Sequence, residues 1–281
     1  KYQNNLRVAL SGNEGSRIVI FDENLKKIGS TEYLSKGEKM YSTRFLGNKA
    51  YMVTYKNTDP LYAIDLTIPT SPKVLGELKI PGYSTYLHPY DENHLIGIGM
   101  ETKEKVYRDS FGKVKRTTAI ITGMKMALFD VSDINNPIQI SKTVIGDSRT
   151  TSAILTNHKA LLFSKEKGLL AIPVNKYESD FEINVNNEDN ISDMESIYTK
   201  YNNTYTAEGY FVYNINLTDG FKLKGIIEHE KNTSIGYSYG ESKLLRGLWI
   251  NDNLFTVSED MIKVNKLDDL SLISELKYKN R

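Results

Sequence analysis

The sequence contains no cysteine, which removes disulfide staples, thiolate metal sites and a cysteine nucleophile together. Stability has to come from packing. No apolar run approaches the roughly 18 to 20 residues that cross a bilayer as a helix, so no membrane insertion is expected of this segment. A surplus of one charge is also missing: 36 Lys plus Arg face 35 Asp plus Glu, a formal net charge of +1. No global field therefore steers the chain to nucleic acid or anionic lipid, and none is expected as a partner. Proline is sparse at 7 residues and tryptophan single, whereas tyrosine is abundant at 19. Aromatic and β-branched residues fill pleated, half-buried sheets, and helical periodicity is scarce, so the expectation is all-β. The N-terminus lacks a signal-peptide pattern and opens on Lys1, which reads as the processed or excised C-terminal part of something longer.

What is present is a repeat. Ala63-Ile64-Asp65-Leu66-Thr67, with Pro72 seven positions after the aspartate, returns as Leu128-Phe129-Asp130-Val131-Ser132 with Pro137 at the same offset. The unit is a strand, a turn in which Asp bonds its own backbone, and a second strand entered after a proline, where a missing N–H costs least. The same slots recur at Ile20-Phe21-Asp22, at Val212 to Asn216 and at Ile262 to Leu267. Upstream of these lies a further strand pair. Tyr41-Ser42-Thr43 returns 42 residues later as Tyr83-Ser84-Thr85, each leading through a polar turn into an apolar strand, and Leu248-Trp249-Ile250 repeats the pattern near the end.

Four short strands recurring about every 40 to 45 residues are the mark of a β-propeller blade. The expected fold is all-β, a propeller of four-stranded antiparallel blades in one domain over 1 to 281. Its five units fall at 1–34, 41–80, 83–145, 157–229 and 243–278. The first is short of most of a strand, and its open edge invites strand exchange with another chain. Two insertions interrupt the pattern: residues 101 to 122 read as a protruding β-hairpin around Asp109-Ser110-Phe111-Gly112, and 176 to 208 as an acidic, Asn-rich loop with one helical turn near Asp193 to Tyr198.

The stretches Thr58 to Leu66, Gly76 to Gly82 and Tyr86-Leu87-His88-Pro89 through Gly99 resemble a bacterial family of secreted proteins with a C-terminal β-propeller domain distantly related to WD repeats. The resemblance continues through Leu128 to Asp133, Leu169 to Val174 and Gly220 to Gly225, and lapses in the 176 to 208 loop. It implies a secreted or cell-surface location, and it brings no catalytic residues with it.

Catalytic signatures are missing as well. The four histidines, 88, 94, 158 and 229, show neither the His-x-His nor the His-Glu-x-x-His spacing that puts two ligands on one metal, and there is no nucleophile elbow, phosphate loop or dinucleotide glycine pattern. No catalytic residue, metal ligand or cofactor is assigned. Glu178, Asp180, Glu182, Glu188, Asp189, Asp193 and Glu195 offer oxygens to a cation such as Ca²⁺, but not at EF-hand spacing, and such a run reads first as a solvated one. The candidate ligand-binding residues lie in or beside the first strands of the units: Tyr41, Arg44, Tyr83, Tyr86, His88, Tyr237, Tyr239, Arg246 and Trp249. Aromatic side chains with arginine combine apolar area with a polar handle, the composition of binding hot spots, though the same residues serve packing between blades, as is expected for Trp249. The function expected is a non-catalytic binding or scaffolding module at the bacterial cell surface for a protein, peptide or glycan. The alternative is a hydrolase at the channel mouth with carboxylates or a metal drawn from several blades.

Overall fold

The computed structural model describes residues 5–55, 59–179, 204–230 and 244–278. The chain divides into two compact units, one formed by Lys1–Val144 with Leu217–Gly220, the other by Ile145–Asn216 with Phe221–Arg281.

The first unit holds three sheets in which strands adjacent in sequence are adjacent in space. The first has three strands, β1 (Leu6–Gly12), β2 (Gly15–Phe21) and β3 (Lys27–Ser30). The second comprises β4 (Lys39–Leu46), β5 (Lys49–Tyr55), β6 (Asp59–Asp65) and β7 (Lys73–Ile80), and the third β8 (Tyr83–Pro89), β9 (His94–Arg108), β10 (Val114–Asp130) and β11 (Ile138–Ile145). In the second unit, β12 (Leu162–Ser164), β13 (Leu169–Ser179), β14 (Thr204–Asn216) and β15 (Gly220–Glu230) form one sheet, and β16 (Leu244–Ile250), β17 (Asn253–Ser258), β18 (Met261–Lys266) and β19 (Leu272–Lys277) another. The four-stranded repeat is thus present as read from the sequence, with the first sheet one strand short among the described residues. Helix is confined there to two single 3₁₀ turns, Ala153–Leu155 and His158–Ala160. The helical turn expected near 193–198 lies outside the described residues.

The central strands are buried on both faces, which explains their unbroken apolar runs. On β5, Ala50 and Met52 point one way and join Ile18, Ile20, Ile64 and Leu66 between the first and second sheets. Their neighbours Tyr51 and Val53 point the other way and pack with Leu61, Ala63, Leu87, Leu95 and Phe129 between the second and third. This is the period-two rule of a strand applied to a sheet sandwiched between two others. Each Val, Leu, Ile, Met or Phe among them stabilises the fold by roughly 1.5–3 kcal/mol through burial. In the second unit, Leu162, Leu169, Ala171, Tyr210, Val212, Leu244 and Leu254 make the corresponding core.

In the first unit an aspartate closes the turn after β2, β6 and β10. Asp65 Oδ1 accepts from Thr67 N at 2.9 Å and from Thr67 Oγ1 at 2.5 Å. Asp130 Oδ1 accepts from Ser132 N at 2.9 Å, and Asp22 Oδ1 from Asn24 N and Lys26 N, both at 2.9 Å. These turns then press against the outer strand of the preceding sheet. A Cβ on Gly29 would lie 2.1 Å from Pro69 O, and one on Gly76 would lie 2.2 Å from Ile134 O, so only glycine admits the neighbouring backbone there.

Residues beyond Glu101 on β9 and before Gly123 on β10 leave the body of the sheet as a two-stranded ribbon, its turn closed by Asp109 Oδ1 accepting from Phe111 N at 3.0 Å and Lys113 N at 2.9 Å. Phe111 at the tip is 95% exposed. Inside the same sheet Glu101 and Lys125 are buried. Lys125 Nζ donates to Pro81 O at 2.5 Å, and Glu101 Oε1 accepts from Lys142 Nζ at 2.8 Å, so both charges are held in structural pairs.

Candidate binding site on the edge strands of the first unit

Strands β4 and β8 are the edge strands of their sheets. Each carries a Tyr-Ser-Thr triplet near its start and each is bulged there, at Met40/Ser42 and at Ser84/Tyr86. A bulge turns side chains out of the ladder and re-aims them, which suits an edge that presents residues rather than pairing. The two strands lie side by side: Ser42 Oγ donates to Ser84 O at 2.8 Å.

At one end of this pair, Tyr41 and Tyr83 approach with ring centroids 4.5 Å apart, and Tyr55 from the end of β5 completes a trio at 4.7 Å from Tyr83 and 5.8 Å from Tyr41. Lys39 Nζ stands 5.7 Å from the Tyr41 ring centroid. The sequence reading missed Tyr55. Its signal would have been the register, which pairs Tyr55 with Lys39 at the start of β4.

The other end is polar. Arg44 lies opposite Tyr51 and so shares its face, toward the third sheet. Its Nε is buried without a hydrogen-bond partner, as is the Tyr51 hydroxyl, whose pKa burial pushes up to about 12. Tyr86 and His88, two apart on β8, bond through the Tyr86 hydroxyl and His88 Nδ1 at 3.0 Å. Burial first, and then the Arg44 guanidinium nearby, lower the His88 pKa to about 4, so the imidazole is neutral at pH 7. Burial raises the Tyr86 phenol, opposed by the same guanidinium.

Five of the nine sequence candidates, Tyr41, Arg44, Tyr83, Tyr86 and His88, therefore gather on adjacent strands. Arg246 and Trp249 belong to the second unit. Arg246 is exposed on β16, and Trp249 packs against the Leu162–Leu254 core. Tyr237 and Tyr239 lie outside the described residues, as does most of the acidic run; Glu178, within them, pairs with Lys176 at 2.5 Å.

The remaining histidines have structural partners. His94 Nδ1 lies 2.8 Å from Asp91 Oδ1 in the β8–β9 turn, and His229 Nε2 lies 2.8 Å from Thr256 Oγ1 in the second core. Among the described residues, no three or more His, Asp or Glu are grouped as a metal site would need. No helix there is long and apolar enough to cross a membrane.

Repeated antiparallel sheets, aspartate-closed turns that seat in the next sheet and ligand-type residues on the sheet edges define a repeat protein of the propeller class. The chain belongs to the Beta propeller domain family, whose model matches residues 1–270. It is 38% identical over 265 residues to an uncharacterized protein of Methanocaldococcus jannaschii, an alignment covering 94% of this chain and 32% of that one. A second uncharacterized protein, from Archaeoglobus fulgidus, is 33% identical over 174 residues, 62% of this chain and 25% of that one. The chain thus spans a third or less of the curated relatives it matches. Among solved structures it is similar to the C-terminal WD40 domain of Sif2, at a TM-score of 0.44 and 9% identity, covering 99% of this chain and 56% of that one. It is also similar to BamB from Moraxella catarrhalis, at a TM-score of 0.37 and 10% identity, covering 98% and 74%.

Proposed function

We propose that this chain is a non-catalytic binding or scaffolding module, secreted or displayed at the cell surface, that recognises a protein, peptide or glycan through the edges of β4 and β8. The observation that carries the reading is the gathering of Tyr41, Tyr55 and Tyr83, with ring centroids 4.5–5.8 Å apart, beside Arg44, Tyr86 and His88. Tyrosine and arginine are enriched in binding hot spots, tyrosine because it presents large apolar area with little entropy to lose, arginine because its planar donor group orients the partner. The repeat aspartates Asp65 and Asp130, by contrast, are bound into turns. The location rests on the resemblance of Tyr86 to Gly99 and its flanking stretches to secreted bacterial propeller proteins, and the curated relatives reported above are archaeal.

The test is an array of peptides and glycans probed with the wild-type chain and with Tyr83→Ala. Removing the ring shared by both closest pairs should abolish the retained ligands while leaving the melting curve within a few degrees. Ligands held equally by the variant, or cleaved products in place of retained ligands, would refute the assignment.

A further inference from the structure

We infer that the ribbon of β9 and β10 docks the chain onto an anionic bilayer surface, Phe111 entering the apolar boundary while the cations behind it engage lipid phosphates. The net charge of +1 conceals a local surplus. Residues 103–116 hold Lys103, Lys105, Arg108, Lys113, Lys115 and Arg116 against Glu104 and Asp109, an excess of four positive charges. Asp109 is committed to the turn, where it accepts from Phe111 N and Lys113 N. Among the described residues none of the six cations forms an ion pair. The register then sorts them by face. Lys103, Lys105 and Tyr107 alternate onto one side, with Ile120, Thr118 and Arg116 opposite them, and Glu104 falls on the other side with Ala119. Lys105 Nζ and the Arg116 guanidinium stand 4.8 and 4.6 Å from the Tyr107 ring centroid. One face of the ribbon therefore carries three cations around a tyrosine, and no acid.

The tip selects the partner. Phe111 is the most exposed large apolar side chain among the described residues, and a Cβ on Gly112 beside it would meet nothing within 4 Å, so the tip stands in open space. Tyr107 and Arg116 follow two or three strand residues behind the turn, about 7–10 Å. From the tip inward the ribbon thus presents a bare ring and then a phenol among cations. A bilayer boundary has the same order, acyl chains and then the headgroup level that tyrosine, lysine and arginine favour. Interfacial apolar elements sink about 5–10 Å, which matches the spacing. A folded protein would have to supply a pocket for the ring, and a single-stranded nucleic acid would stack its bases on aromatics lying alongside the cations. Phe111 instead projects beyond the cations, and a fluid surface requires no matching pocket. Docking of this kind rests on the surface of the bilayer and spans nothing.

The test is co-sedimentation of the full chain with vesicles of phosphatidylcholine containing phosphatidylglycerol, and with vesicles of phosphatidylcholine alone. The anionic vesicles should carry down wild type, the neutral ones should not, and added salt should release it. Each cation near an anionic surface contributes about fivefold in partition, so K103Q/K105Q/R116Q should bind about a hundredfold more weakly. F111S should weaken binding by about tenfold or more. Neither change should move the melting temperature, because these side chains are exposed or half-exposed. Depth has its own readout. The chain has no cysteine, so Ser110→Cys takes a single environment-sensitive NBD label at the tip. Its emission should shift to the blue on anionic vesicles and be quenched by lipid spin-labelled in the acyl chain. Vesicle binding by the triple variant and by F111S equal to that of wild type overturns the proposal. So does a label that stays in water on bound vesicles, which would reduce the contact to charge alone. Ribbon-dependent binding of heparin or oligothymidylate in the absence of vesicle binding would also overturn it and make the partner a soluble polyanion. Vesicle binding lost in Tyr83→Ala and kept in both ribbon variants would move the contact to β4 and β8.

Discussion

Asp65 and Asp130 occupy the same slot in two repeats and perform the same task. Each accepts the backbone N–H two residues on, so that the chain reverses without leaving that donor unpaired. The hydrogen bonds also hold the carboxylate of Asp130 below its ordinary pKa, with the side chain of Ser132 as the largest cause and its backbone N–H next. Replacing either aspartate with alanine should lower stability by about 1 kcal/mol, read as a drop in thermal midpoint, and should leave ligand binding unaltered. Loss of binding at an unchanged midpoint would make these residues functional rather than structural. His229 supplies a pH dependence. Burial, reinforced by Lys263 and opposed by Glu275, lowers its pKa from 6.5 to about 4. Below pH 6.5 the unfolded chain takes up a proton that the folded chain refuses. The contribution is therefore complete above about 6.5 and is lost as pH falls toward 4, by up to about 3 kcal/mol. Thermal midpoints between pH 7 and 4 should fall less steeply in His229→Gln than in wild type, and parallel curves would show that the loss arises elsewhere.

At the scale of elements, the sheets divide into a buried body and an exposed ribbon. β5, β9, β10 and β13 carry apolar runs because both of their faces are covered, whereas the part of β9 and β10 past Glu101 and Gly123 is exposed along most of its length. Val106, Val114, Ile120 and Ile121 bury little there, so the ribbon contributes little to stability. Replacing residues 103–120 with a two-residue Asn-Gly turn should therefore leave the thermal midpoint within about 2 °C of wild type. A larger fall would mean that the ribbon packs against a partner within the molecule.

For the whole molecule, the consequence of the repeat is its one short sheet. β1 pairs with β2 alone among the described residues, and Leu6 and Leu10 on it are 50% and 43% exposed. An open strand with apolar side chains is a template for another strand. Sedimentation at rising concentration should show self-association of the 281-residue chain, and the double change Leu6→Lys, Leu10→Lys should suppress it without altering the midpoint. Association unaffected by the lysines would place the contact elsewhere.

The strands, the turns and the repeat were legible in the sequence because each is set locally: alternation fixes a strand's faces, an aspartate two residues before a hydroxyl residue closes its own turn, and a proline marks the next strand's entry. The binding face was legible only in part. Tyr41 and Tyr83 stood out through their shared triplet, but Tyr55 joins them only because β5 returns alongside β4, and Arg44 meets Tyr86 and His88 only because two sheets set their edges together. Trp249, expected from the sequence to pack, lies against the core of the second unit. Residues some 42 positions apart become neighbours by the stacking of whole sheets, and no short-range pattern records which of them keeps an unsatisfied donor.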